Sequence, residues 1–417
     1  MTAMANASVG IEYLNVYGGR AFVSVDDIFD ARGLDKARSE NLMMRSKAVG
    51  MPFEDSVTNA VNAAKPIIDR LSEAERNAIE MVITASESGL DFGKSLSTWV
   101  HKHLNLSSRC RLFEVKQACY GGTAALQMAA AHLRTCHDAR AKVLVIATDM
   151  ARPSVKLSYA EPSQGVAAAA MLVGRDPVVL DLDDGASGLH SFEVLDTCRP
   201  DPVVETGDPD LSLMSYLDCL DGAVGDYLER VEASDFRASF DYLAFHTPFA
   251  GMVKGAHRNL MRRRYRENPR DIEADFERRL APSLDYCRAV GNAYSATIFV
   301  ALAGLIDRVG ALGRPYRVGL FSYGSGCCSE FYSGVVSSEA AARQGAFKLE
   351  DHLASRTRLP IDLYDQVIDL NKQWVMGGCG RDMEFGAAGD LYKQHFAGKG
   401  LLNFMGLKDY ERIYEWA

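Results

Sequence analysis

The stretch that most limits how this chain can fold is Phe113-Glu-Val-Lys-Gln-Ala-Cys-Tyr-Gly-Gly-Thr-Ala-Ala-Leu-Gln-Met128, where a short apolar run ends at Cys119 and a helix of small residues begins. A strand that turns abruptly into a helix places Cys119 among unpaired backbone N–H groups at the positive end of the helix dipole, a setting expected to favour thiolate. Gly121 and Gly122 clear side chains from beside the sulfur, so an extended substrate arm and an oxyanion donor could share the turn. Taken alone, the residues fit a buried cysteine as well as a nucleophile.

The same plan recurs. Residues 79–85 read as a buried strand delivering Ser86-Glu87-Ser88-Gly89 to a turn. Asp241–His246 and Arg317–Ser322 read alike, the second leading into Tyr323-Gly324-Ser325-Gly326. Further strands are expected at 10–18, 143–148 and 164–174, and helices over much of 25–48 and at 54–71, 96–103, 121–134, 213–233 and 298–308. Such alternation predicts parallel strands joined by crossover helices. Gly291-Asn292-Ala293-Tyr294 ahead of a helix echoes the Cys119 turn, suggesting two similar α/β halves, residues 1–175 and 176–417. Residues 183–212, rich in Asp, Gly and Pro, read as a surface excursion, with the second half's excursion lying near 183–235. The tail from 359 reads as helix and loop.

Composition removes several function classes. A length of 417 residues implies a layered structure or two fused cores, and no apolar run reaches the ~20 residues needed to span a bilayer. The first eight residues lack a basic, apolar leader, so a cytoplasmic location is expected. Nine scattered cysteines suit reduced thiols. His101 and His103 are the one close histidine pair, without a carboxylate or thiol partner at ligand spacing, so no metal is expected. A net charge of −9 argues against nucleic acid. Against that background His257-Arg258, Arg262-Arg263-Arg264-Tyr265-Arg266 and Arg270 form a basic segment, which reads either as a solvated helix face or as a dock for an acidic partner or phosphate.

Several separate motifs carry a family resemblance. Gln117-Ala-Cys119-Tyr-Gly-Gly-Thr-Ala-Ala-Leu126 resembles the nucleophile turn of 3-hydroxy-3-methylglutaryl (HMG) synthases, condensing enzymes of the thiolase superfamily. Ala85–Gly89 resembles their acid/base turn and Phe245-His246-Thr247-Pro248-Phe249 their His-x-Pro-Phe/Tyr motif. Glu161–Gly165, Gly291–Tyr294 and Phe321–Gly326 resemble their other fixed blocks. The resemblance implies a five-layered α/β/α/β/α sandwich, usually homodimeric, with no tightly bound cofactor. It implies Cys119 as acyl acceptor, Glu87 as acid/base, His246 and Asn292 at the ketone, and Ser325 and Gly326 at the acyl group.

Two positions depart from the pattern. Coenzyme A-using members usually carry Lys five residues after the catalytic His, where this chain has Gly251, and Pro153 stands where a substrate-contacting Tyr is usual. The missing Lys turns the expectation toward the phosphopantetheine arm of an acidic acyl carrier protein, as in the branch that installs β-branches on polyketides. Arg32, Lys254, Arg262, Arg263, Arg264 and Arg266 are then candidate contacts for arm and carrier. The alternatives are a coenzyme A-dependent synthase of isoprenoid metabolism and a non-catalytic carrier-binding scaffold.

Overall fold

The computed structural model describes residues 8–200, 204–310, 312–374 and 389–417. The first seven residues, three residues of the expected excursion and part of the tail lie outside the described residues. Nine strands build one mixed sheet: β1 (Gly10–Tyr17), β2 (Ile79–Ala85), β3 (Arg111–Val115), β4 (Lys142–Met150), β5 (Val166–Gly174), β6 (Leu180–Ser191), β7 (Tyr242–Phe245), β8 (Tyr316–Gly324) and β9 (Cys328–Val336). Their order is β7-β8-β9-β6-β1-β5-β4-β2-β3. Only part of the expected parallel pairing is present: β3, β2 and β4 run parallel, as do β7 and β8, whereas β5 and β9 pair antiparallel with both neighbours.

Six helices cover this sheet in layers: α1 (Ser56–Ile68), α2 (Leu96–His103), α3 (Gly121–Thr135), α4 (Pro209–Arg230), α5 (Ala250–Tyr265) and α6 (Thr297–Val309). The apolar stripe of Val57, Val61, Ala64, Ile67 and Ile68 seats α1 against β1, β4 and β5, and α2 lies beside it. On the opposite face α3 and α6 occupy the middle of the molecule. There α3 meets β2 to β5, and α6 meets β1, β5, β7 and β8. Beyond the second part of the sheet, α4 packs on β6 and β9, with α5 against α4. The stack is therefore helix, sheet, helix, sheet, helix.

The middle layer explains the small residues. A Cβ at Gly122 would lie 2.6 Å from the Ser295 carbonyl oxygen and 2.8 Å from the Phe299 ring, so glycine permits the close approach of α3 and the start of α6.

Some expectations fail for identifiable reasons. Residues 183–191 belong to a twelve-residue strand, β6, rather than to a surface excursion. Gly188 makes room: a Cβ there would sit 2.2 Å from both Ala223 O and Tyr227 N of α4. The region 25–48 divides into helices Val25–Arg32 and Lys36–Leu42 and a strand, Ser46–Val49. The tail contains an antiparallel hairpin, Leu402–Lys408 with Glu411–Trp416, that was not anticipated.

Candidate active site

Cys119 sits between β3 and α3, behind Ala118, whose φ of +43° is a left-handed conformation costly for alanine. Glu87 follows β2, and its Oε1 lies 3.4 Å from Cys119 Sγ. Both line one pocket with His246, Asn292 and Ser325, so residues spread over more than 230 positions converge. Gly324 permits the Ser325 turn to approach the nucleophile turn, because a Cβ there would stand 2.6 Å from Gln117 O and 2.7 Å from Tyr120 N.

The electrostatics differ from the expected thiolate. Burial, then the Glu87 carboxylate, push the Cys119 thiol well above its ordinary range, outweighing the helix terminus. The resting sulfur is a thiol donating to Glu87. Burial also raises Glu87 to about 7; Arg199 opposes this, whereas Asp149 and Glu205 add to it. His246 is 1% exposed and drops to about 3 through burial alone, so its imidazole is neutral at pH 7. Its backbone is fixed by Phe321 O and the Tyr216 hydroxyl, while Nδ1 has no hydrogen-bond partner among the described residues.

Asn292 Oδ1 accepts from Tyr294 N–H (2.9 Å) and the Thr297 hydroxyl (3.1 Å), which leaves its NH₂ as the group for the pocket. Gly326 departs from its expected place: it is exposed, does not line the pocket, and its N–H donates to Asp196 Oδ1 at 2.9 Å. The backbone N–H there is thus committed to a carboxylate, leaving Ser325 as the turn's pocket residue.

The cationic candidates separate into two groups. Arg32 is clasped by Glu161 (2.9 Å) and Asp365 (2.5 Å), so it is charge-matched rather than open to a phosphate. Lys254 pairs with Glu273 and Arg264 with Asp221. Arg262, Arg263 and Arg266, at the far end of α5, are exposed and make no ion pair among the described residues. Met252 at the near end of α5 lines the pocket. A rise of 1.5 Å per residue puts Arg262 about 15 Å from Met252 along the axis.

Sequence reasoning missed four groups. Asp149, fully buried, accepts from Glu87 N–H, Ser86 and Ser295, tying the acid/base turn to the start of α6. Arg199 and Glu205 fold in from the supposed excursion, and Asp196 holds both Gly326 and the Tyr323 hydroxyl. Asp149 opens the stretch Asp149-Met-Ala-Arg-Pro153, which ends at one of the two departures from the family pattern and was a usable signal; the other three lie in a stretch without periodicity. Among the described residues no group of His, Cys, Asp and Glu could hold a metal ion, and no helix is long and apolar enough to cross a membrane.

Comparison with known proteins agrees with this geometry. The family model described as hydroxymethylglutaryl-coenzyme A synthase C terminal matches residues 271–377. The polyketide biosynthesis 3-hydroxy-3-methylglutaryl-ACP synthase PksG of Bacillus subtilis (strain 168) is 52% identical over 367 residues, which cover 86% of this chain and 87% of that protein. The hydroxymethylglutaryl-CoA synthase of Enterococcus faecalis is 34% identical over 369 residues, covering 86% and 91%. The crystal structure of the curacin biosynthetic pathway HMG synthase superposes with a TM-score of 0.93 at 51% identity, covering 98% of this chain and all of that one, and it has also been solved with apo, holo and acetyl donor-ACP. With its layered α/β sandwich and a cysteine, a carboxylate and an imidazole meeting in one pocket, the chain belongs to the hydroxymethylglutaryl synthase family, enzymes that transfer an acyl group by forming a carbon–carbon bond.

Proposed function

We propose that this enzyme adds an acetyl group, delivered on an acyl carrier protein, to the β-ketone of a carrier-bound polyketide intermediate. Cys119 attacks the acetyl thioester, its proton leaving on the departing pantetheine thiol. Glu87 takes a methyl proton from the acetyl group, and the enolate carbon attacks the ketone, whose oxygen is polarised by neutral His246 and the Asn292 NH₂. The proton on Glu87 returns to the new alkoxide. Water then cleaves the Cys119 thioester, releasing a carboxylate and leaving a 3-hydroxy-3-carboxymethyl acyl chain on the acceptor carrier.

The observation that carries this reading is the 3.4 Å approach of Glu87 to Cys119 on the wall of a pocket shared with His246 and Asn292. A carboxylate that close to the sulfur is within reach of the methyl group of an acetyl thioester formed there. For the donor, position 251 supports the reading. A Cβ on Gly251 would lie 1.8 Å from Asn41 O, so the helix Lys36–Leu42 occupies the space a lysine would need. That favours a donor without a nucleotide, consistent with relatives named as an HMG-ACP synthase and solved with donor-ACP.

The test compares donors. Mass spectrometry of Cys119 after brief incubation should show an acetyl adduct forming faster with acetyl-carrier protein than with acetyl-CoA. Equal rates would favour a coenzyme A-dependent synthase, and no adduct from either donor would remove the nucleophile assignment.

A further inference from the structure

Glu87 is gripped from the side away from the sulfur. Arg199 Nη1 lies 3.2 Å from Glu87 Oε2 and also donates to the Glu87 backbone carbonyl at 3.2 Å, while Glu87 Oε1 faces Cys119. The guanidinium is itself fixed by a closed circuit. Nη2 meets Glu205 Oε2 at 2.7 Å, Glu205 Oε1 accepts from Gln164 Nε2 at 2.6 Å, and Gln164 Oε1 accepts from the Tyr294 hydroxyl at 2.5 Å. The Tyr294 ring closes the circuit by lying 4.5 Å beneath the guanidinium. The side chains of Arg199, Glu87 and Glu205 are only 10–12% exposed, so water barely competes for these contacts.

We propose that Arg199, anchored by Glu205, is the positioning residue that holds the Glu87 carboxyl group over Cys119 during condensation. The inference rests on Glu87 being the acid/base group. A planar fork suits the task, since it engages two carboxylates at fixed angles and cannot itself lose its proton. Occupying Oε2 leaves Oε1 as the oxygen presented to the substrate methyl. The pair also balances charge. Groups facing Glu87 are Cys119 from the nucleophile turn, Asp149 from the end of β4 and Arg152 just beyond it, Arg199 and Glu205 from the segment after β6, and Tyr294 from the Asn292 turn, with His246 in the same pocket. Of these Arg199 draws Glu87 toward the carboxylate form, whereas Asp149 and Glu205 oppose ionisation.

The signs follow for two neutralising substitutions. Arg199→Gln removes the attraction and moves Glu87 upward. Glu205→Gln removes a repulsion and frees Arg199 for Glu87, moving it downward. Cys119 is acetylated with S-acetyl-pantetheine, and deuterium uptake into the methyl group of the acetyl-enzyme is followed by mass spectrometry from pH 5 to 9. Uptake should rise with pH through a midpoint that moves up by about one unit in Arg199→Gln and down by up to about one unit in Glu205→Gln. Arg199→Lys should keep the wild-type midpoint but lower the plateau, because an ammonium cannot span both carboxylates.

Midpoints unchanged in both neutral variants, or displaced in one common direction, would overturn the proposal; a merely structural ion pair changes stability without opposite shifts. If either glutamine variant fails to fold, the remaining one and Arg199→Lys decide. Glu87→Gln separates the two levels of the argument: exchange persisting there sinks the assignment of Glu87 itself, whereas its loss together with immobile midpoints sinks only the role of Arg199.

Discussion

Two residues in the pocket are held in forms their free side chains would not all adopt, and burial is the common cause. Glu87 sits near 7 and His246 near 3, so at neutral pH the carboxyl group can both accept and return a proton while the imidazole stays an uncharged donor. Glu87→Gln should therefore still accumulate acetyl on Cys119 yet condense about 10²–10⁴-fold more slowly, measured in single turnovers with S-acetoacetyl-pantetheine as acceptor. His246→Asn should lower the plateau of the pH profile without moving its acid limb, because the imidazole does not titrate in the range that Glu87 does. A limb displaced in the His246 variant would show that the wrong group had been assigned to it.

At the level of elements, the glycines decide what can touch what. Gly122→Ala would drive a methyl group against Ser295 O and Phe299, separating α3 from the start of α6 and costing about 1–3 kcal/mol. A lower urea midpoint accompanied by slower acetyl uptake is the expected result, since the same contact holds the Cys119 and Asn292 turns together. Such packing also explains what could be read in advance. Strand ends bearing Glu87, Cys119 and His246 were legible because apolar runs and turn residues alternate cleanly around them. Arg199 and Glu205 were not, because their segment is polar and irregular and gains its place from partners distant in the chain, Glu87, Tyr294 and Gln164. Likewise β6, with its acidic residues and glycines, looks like a loop until α4 is laid across Gly188. Thiolate character at Cys119 was inferred from the helix terminus alone; burial, and after it a carboxylate 3.4 Å away, both invisible to local spacing, reverse it.

For the whole molecule, a net charge of −9 repels acidic partners on average, and the exposed end of α5 provides a local exception. Reversing Arg262, Arg263 and Arg266 to Glu should raise KM for acetyl-carrier protein about tenfold or more at low salt, with little change for S-acetyl-pantetheine. Equal effects on both donors would remove the docking surface. The two parts of the sheet meet through β1, which pairs with β5 along most of its length and with β6 through Gly10 and Ile11. Strand β5 lies more than 150 residues downstream of β1, so at ribosomal speeds of about 5–20 residues per second the first strand waits roughly 8–30 s for its neighbour. Throughout that interval a strand whose residues are almost all buried in the finished fold emerges unpartnered, which makes nascent β1 a natural client for a chaperone that shields chains during synthesis.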